Sequence, residues 1–106
     1  MATQAGAVKL TVLYGHPTDP AAFERYYAET HMPMVRKIPG LGRYEQAKVV
    51  GTPGGGQPAF YRIFEFWFDN DAHMQRVMSS PEAEAAVGDL ANFATGGATT
   101  LISQID

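Results

Sequence analysis

A chain of 106 residues has room for one domain with one hydrophobic core and none for a separate cofactor-binding domain. With no Cys, a disulfide framework, thiol chemistry and the commonest zinc and iron–sulfur sites are excluded, and a reducing cytoplasm is the expected compartment. Eight Lys plus Arg and a formal net charge of -3 argue against nucleic acid as a partner, since phosphate binding draws on clustered cations, and favour a small neutral molecule.

Met1 to Ala7 carry neither a basic stretch nor an apolar core of signal-peptide length. No apolar run approaches the ~20 residues needed to span a bilayer, so no membrane partner is expected. Residues 1–7 read as a frayed tail ahead of a domain covering 8–106.

From Val8 to Tyr14, Val8, Leu10, Val12 and Tyr14 alternate with Lys9, Thr11 and Leu13, the period-2 pattern of a strand with one buried face. Gly15 ends it. Asp19 can cap a helix whose first turn accommodates Pro20. That helix is expected to place Phe23, Tyr26, Tyr27 and Thr30 on one side, with Glu24, Arg25 and Ala28 turned away. Pro33 should disturb it, so that a short second helical piece starts from His31 and ends before Pro39-Gly40.

Leu41 to Val50 is a more polar, peripheral strand, followed by a flexible loop at Gly51 to Gly56. Phe60 to Phe68 is almost continuously apolar and aromatic, with no solvated face. Asp69-Asn70-Asp71 supplies capping side chains for a helix through Met78. Ser80-Pro81-Glu82 starts another, Ala-rich helix running to about Leu90. Thr99 to Ile105 closes the chain as a β-branched strand. The order β-α-β-β-α-β is that of a ferredoxin-like α+β domain, four antiparallel strands with helices on one face. A third strand apolar on both faces calls for a second copy to cover the bare side, hence a homodimer.

The string Phe23-x-x-Tyr26-Tyr27-x-x-x-His31-x-Pro33, within Leu10 to Pro33, resembles the signature of the ethyl tert-butyl ether degradation (EthD-like) family. Phe68-Asp69, Pro81-Glu82, Asn92-Phe93 and the closing strand continue the match. The resemblance implies a dimeric α+β barrel in which two four-stranded sheets close face to face. It also implies a role beside ether degradation whose biochemistry is undefined. Similar domains act as cyclases, decarboxylases, dehydratases or cofactor-free monooxygenases.

His31 is the candidate catalytic residue, because imidazole exchanges a proton near neutral pH. Tyr27, four residues earlier, shares its helical face and could donate a hydrogen bond to a ligand. The plain alternative is that His31 satisfies backbone groups where Pro33 interrupts the helix. Tyr26, Phe23, Met34, Trp67 and Arg62 are candidates to bind substrate, with the pocket-facing side of strand 60–68 left open. Arg62 and Glu65, charges embedded in an apolar strand, must pair, reach an edge or serve a site.

No cofactor is expected. His16, His31 and His73 form no metal-ligand spacing, and the Gly51 to Gly56 run opens no helix and so makes no phosphate cradle. The third strand lacks the glycine and leading base of an RNA-recognition motif. Two classes of function remain: a cofactor-independent enzyme acting on a small hydrophobic metabolite, or a non-catalytic carrier or accessory protein of a degradation pathway. A haem-degrading monooxygenase is a third reading, with His73 as the iron ligand.

Overall fold

The computed structural model describes residues 6–106. In the opening strand, β1 (Val8–Tyr14), the alternating residues Val8, Leu10, Val12 and Tyr14 are buried, and Leu13 on the other face is half-buried. After Gly15 the chain turns into α1 (Pro20–Tyr26), where the Asp19 carboxylate accepts the Ala22 N–H at 3.1 Å and Pro20 occupies the first turn. The helical path does not stop at Pro33. Tyr27–His31 widens into a π-turn in which the Met32 N–H reaches back five residues to the Tyr27 carbonyl, and α2 (Met32–Arg36) follows with Pro33 in its first turn. Pro33 has no N–H to offer the carbonyl four residues back, and the wider turn ahead of it absorbs the interruption.

The extra residue in that turn changes which side chains face inward. Thr30, expected on the buried side, is exposed, while His31 and Met32 are buried beside Phe23 and Tyr27. Glu24 is not turned away either, because it reaches the third strand.

The polar second strand, β2 (Tyr44–Lys48), is shorter than 41–50 and lies at the sheet edge. It pairs with β3 (Arg62–Phe68), which pairs in turn with β1 in a register that sets Leu10 opposite Phe66 and Val12 opposite Phe64. Asn70 caps α3 (Asp71–Met78) by accepting the His73 N–H at 2.8 Å. Ser80 caps α4 (Pro81–Phe93) through the Ala83 N–H at 3.1 Å, and this helix runs past Leu90. The last strand, β4 (Ala98–Gln104), pairs with β1. The order β2-β3-β1-β4, with all neighbours antiparallel and the helices packed on one face, is the ferredoxin-like α+β fold.

Residues 1–5 of the expected tail lie outside the described residues, but Gly6 and Ala7 are not frayed. The Gly6 N–H donates to the Ile105 carbonyl at 2.9 Å, the Ile105 N–H donates to Ala7 at 2.8 Å, and Ala7 is buried.

The two faces of β3 also differ from the doubly apolar expectation. Phe64, Phe66 and Phe68 face the helices with Arg62, whereas Ile63, Glu65 and Trp67 lie half-buried on the other side. That side is amphipathic: Glu65 pairs with Lys9 at 3.0 Å, and the Arg43 guanidinium sits 4.0 Å from the centre of the Trp67 ring. Arg62, buried under the helices, is neutralised by Glu24 through contacts of 2.6 and 3.2 Å, and Tyr61 donates to the same carboxylate at 3.1 Å.

Where β1 leaves the sheet it crosses the segment leading into β4 with no space for side chains. A Cβ on Gly15 would lie 2.1 Å from the Gly96 carbonyl oxygen, and one on Gly96 would lie 2.3 Å from the His16 carbonyl oxygen. Gly96→Ala must therefore move backbone, and we expect it to cost roughly 2–4 kcal/mol and to lower the melting temperature by several degrees. Gly54→Ala, with nothing within 4 Å, should be nearly neutral. Equal melting temperatures for the two variants would show that the crossing yields freely.

Candidate functional site

The inward register of α4 is Ala83, Ala86, Asp89 and Phe93. The two alanines let the helix approach the sheet closely, and the third position puts a carboxylate where an apolar residue would ordinarily stand. Asp89 is 6% exposed, so its charge must be compensated within the protein. Three donors meet it: the Tyr26 hydroxyl at 2.6 Å, the Asn92 amide at 2.9 Å and His31 Nδ1 at 3.0 Å. A carboxylate can only accept, so the His31 hydrogen resides on Nδ1. His31 Nε2 is then the acceptor nitrogen, and it has no hydrogen-bond partner among the described residues.

The electrostatics follow from these contacts. Burial pushes the Asp89 carboxyl up, but the hydrogen bonds from Tyr26, Asn92 and His31 outweigh it and hold the group below the usual carboxylate range. Burial pushes His31 below the ordinary histidine value, against the pull of Asp89. At neutral pH the pair is therefore a carboxylate and a neutral imidazole whose tautomer the carboxylate selects.

His31 lines a cavity between helices and sheet. Leu10, Val12, Phe64 and Phe66 form its floor, Val35 and Ile38 of the helical arm one wall, and Ala83, Ala86, Val87 and Leu90 of α4 the other. Its volume is about 80 Å³, and it opens to solvent at a mouth. Apart from His31, the side chains that bring polar atoms to this lining are Tyr14 and Thr100. Such a space suits a small, largely apolar ligand.

The other residues singled out in the sequence are distributed differently. Tyr27 stacks on His31, ring centres 5.9 Å apart, but does not line the cavity. Its hydroxyl is buried without a hydrogen-bond partner among the described residues, and the Arg62 guanidinium lies 4.6 Å from its ring centre. Burial pushes the Tyr27 phenol up to about 12, against Arg62. Tyr26 and Phe23 line a separate, more polar cleft with Asp19 and Asn92. Met34 packs on the core outside the cavity lining. Arg62 is committed to Glu24, and Trp67 lies on the opposite face of the sheet. His73 accepts the Asp69 N–H through Nδ1 at 3.0 Å, packs against Phe68 and borders neither space.

Two residues of the site escape the sequence reading. Asp89 could have been found from periodicity, as a lone carboxylate in step with Ala86 and Phe93 on the apolar side of the helix. Tyr14 gives no signal beyond its place at the end of a core strand.

Fold and site define a ferredoxin-like α+β protein with a buried histidine–carboxylate pair beside an apolar cavity. The EthD domain family matches over residues 15–97. An uncharacterised 11.0 kDa protein of Rhodococcus erythropolis, from the thcB–thcC intergenic region, is 37% identical over 95 residues, covering 90% of this chain and 91% of its own. The crystal structure of an ethyl tert-butyl ether degradation family protein of Bacillus halodurans is 36% identical with a TM-score of 0.86, over 94% of this chain and 99% of that one. An EthD-like protein of Ralstonia eutropha is 29% identical with a TM-score of 0.69, over 95% and 93%. This chain belongs to the EthD family. In fold alone the likeness extends to a dimeric ferredoxin-like protein of Thermobifida fusca, 13% identical with a TM-score of 0.70 over 99% and 96%.

The depressed His31 value has a thermodynamic consequence with a definite sign. Below the unfolded-state value of about 6.5 the unfolded chain takes up a proton that native His31 refuses, so stability falls as pH drops from there toward the folded value. Above it this contribution is fully present. Thermal melts between about pH 7.5 and 5 should show this loss in the wild type and a flatter profile in His31→Gln. Identical profiles would mean that His31 is not buried in its neutral form.

Proposed function

We propose that this EthD-family protein binds a small apolar metabolite in the helix–sheet cavity, and that His31, held by Asp89, moves a proton to or from it without a cofactor. The observation that carries this is the buried Asp89–His31 pair, with Nδ1 engaged and Nε2 unpartnered on a ring that lines an apolar cavity. A histidine needed for packing alone would not require a buried carboxylate, and burying that carboxylate in turn requires Tyr26 and Asn92. In this account Asp89 fixes the tautomer, Tyr26 holds Asp89 in place, and Tyr27 supports the His31 ring by stacking. A general base of this kind contributes roughly 10²–10⁴ in rate. Surroundings poor in water strengthen its interaction with charge developing on the ligand.

The test is proton exchange. Incubated in D₂O with small apolar carbon acids, a set of aryl ketones, lactones and nitriles, the protein should wash deuterium into at least one of them. His31→Gln keeps the hydrogen-bonding capacity and approximate size and should lose roughly a hundredfold or more of that rate. Binding with no exchange above buffer would make the protein a carrier.

We further infer that two copies associate. The residues of β4 are exposed along their whole length, with Leu101 48% and Ile102 61% exposed, and a Thermobifida fusca protein of the same fold is dimeric. Sheet-to-sheet closure would cover Leu101 together with Ile63 and Trp67. Sedimentation equilibrium should give twice the chain mass of 11.5 kDa, and a monomer at all concentrations would contradict this.

A further inference from the structure

Tyr14, the last residue of β1, is 1% exposed and lines the same cavity as His31. Buried phenols ordinarily find a hydrogen-bond partner. The Tyr14 hydroxyl has none among the described residues, yet it is not sealed in the core as the Tyr27 hydroxyl is. Its ring is held firmly, edge-on to Phe23 at 5.4 Å and to Tyr27 at 5.8 Å. Phe93 connects it to the base, with ring centres 5.8 Å from Tyr14 and 4.6 Å from His31. The cavity therefore presents a donor without an acceptor and an acceptor nitrogen without a donor, set in hydrocarbon.

We propose that the Tyr14 hydroxyl binds the oxygen of the ligand, and that the ligand class is an enolisable carbonyl compound, a ketone or lactone with an apolar body. The proposal rests on the assignment of His31 as base and adds the group that receives the charge. His31 Nε2 takes the proton from the carbon next to the carbonyl. The C–H electron pair becomes the carbon–carbon double bond of the enolate, and the carbonyl π pair moves onto oxygen, where Tyr14 donates to it. The imidazolium, whose N–H exchanges with water, then returns a proton to the same carbon or to another carbon of the conjugated system. Nothing is oxidised or reduced, and no co-reactant is consumed. Burial and the neighbouring Tyr27 push the Tyr14 phenol far above its ordinary value, which keeps it a donor. A ligand carboxylate is a poor fit, since no Lys or Arg lines the cavity and Arg62 is engaged by Glu24.

Acetophenone and ethylbenzene have nearly the same shape and differ by the oxygen, and both can be titrated into the wild type, Tyr14→Phe and Thr100→Val. Tyr14→Phe keeps the ring contacts and removes only the donor, and Thr100→Val removes the other hydroxyl of the lining. The ratio of acetophenone to ethylbenzene affinity should fall roughly tenfold in Tyr14→Phe and stay unchanged in Thr100→Val. In the wild type alone, the carbonyl stretch of bound acetophenone should lie below its value in hexane, so the proposal remains testable if Tyr14→Phe fails to fold. An unchanged ratio in Tyr14→Phe, a ratio that moves instead in Thr100→Val, or a hexane-like stretch overturns the role of Tyr14 while leaving His31 as base untouched. Failure of both compounds to bind overturns the ligand-binding cavity itself, and this proposal with it.

Discussion

A carboxylate in the interior has to be surrounded by donors, and Asp89 draws its donors from three places: Tyr26 at the end of α1, His31 in the π-turn, and Asn92 one turn further along α4. The rest of the arrangement depends on this. An ordinary α-helical turn would leave Thr30 nearer the core and His31 turned aside. The widened turn ahead of Pro33 brings His31 and Met32 inward together, and Asp89 gives the histidine a fixed partner when it arrives. The hydrogen-bonded charge therefore locks the helical arm to α4, sets the tautomer of the imidazole and fixes one wall of the cavity. π-turns recur at functional sites because they re-aim side chains in this way.

The second buried charge has a different task. Arg62 and Glu24 tie α1 to β3 with two close contacts, and Tyr61 and Lys48 reach the same carboxylate. Breaking such a pair leaves an uncompensated charge in the core, so these residues anchor the helix rather than meet a ligand. On the other side of the sheet, Lys9, Glu65, Arg43 and Trp67 cover one another. These groups thus fall into three sets: one anchoring α1, one on the open face of the sheet, and one beside the cavity.

Much of the fold was legible in the sequence because it is written in local patterns. The alternation of β1 gave its bounds and buried face, and Asp19-Pro20, Asn70 and Ser80-Pro81 marked the helix starts through capping chemistry. The family signature around Tyr26-Tyr27 and His31 is matched by the EthD assignment. What local pattern could not supply was the consequence of Pro33. A kink and a π-turn both satisfy a missing N–H, but only the second moves Thr30 out and His31 in. The roles of Tyr26, Arg62 and Trp67 depended on partners 63, 38 and 24 residues away, Asp89, Glu24 and Arg43. Asp89 itself was hidden in an Ala-rich helix, where a single acidic residue looks like solvent decoration until its helical phase is compared with Phe93.

The proposed proton transfer requires that Asp89 hold His31 as a neutral base with its free nitrogen available to the cavity. Nitrogen-15 NMR of the histidine rings tests it most directly, since Nδ1 and Nε2 give distinct shifts according to which carries hydrogen. At about pH 7 His31 should be neutral with its hydrogen on Nδ1, and its Nε2 resonance should move when an apolar ligand is added. A His31 ring that is an imidazolium at that pH, or that carries its hydrogen on Nε2, would contradict the account.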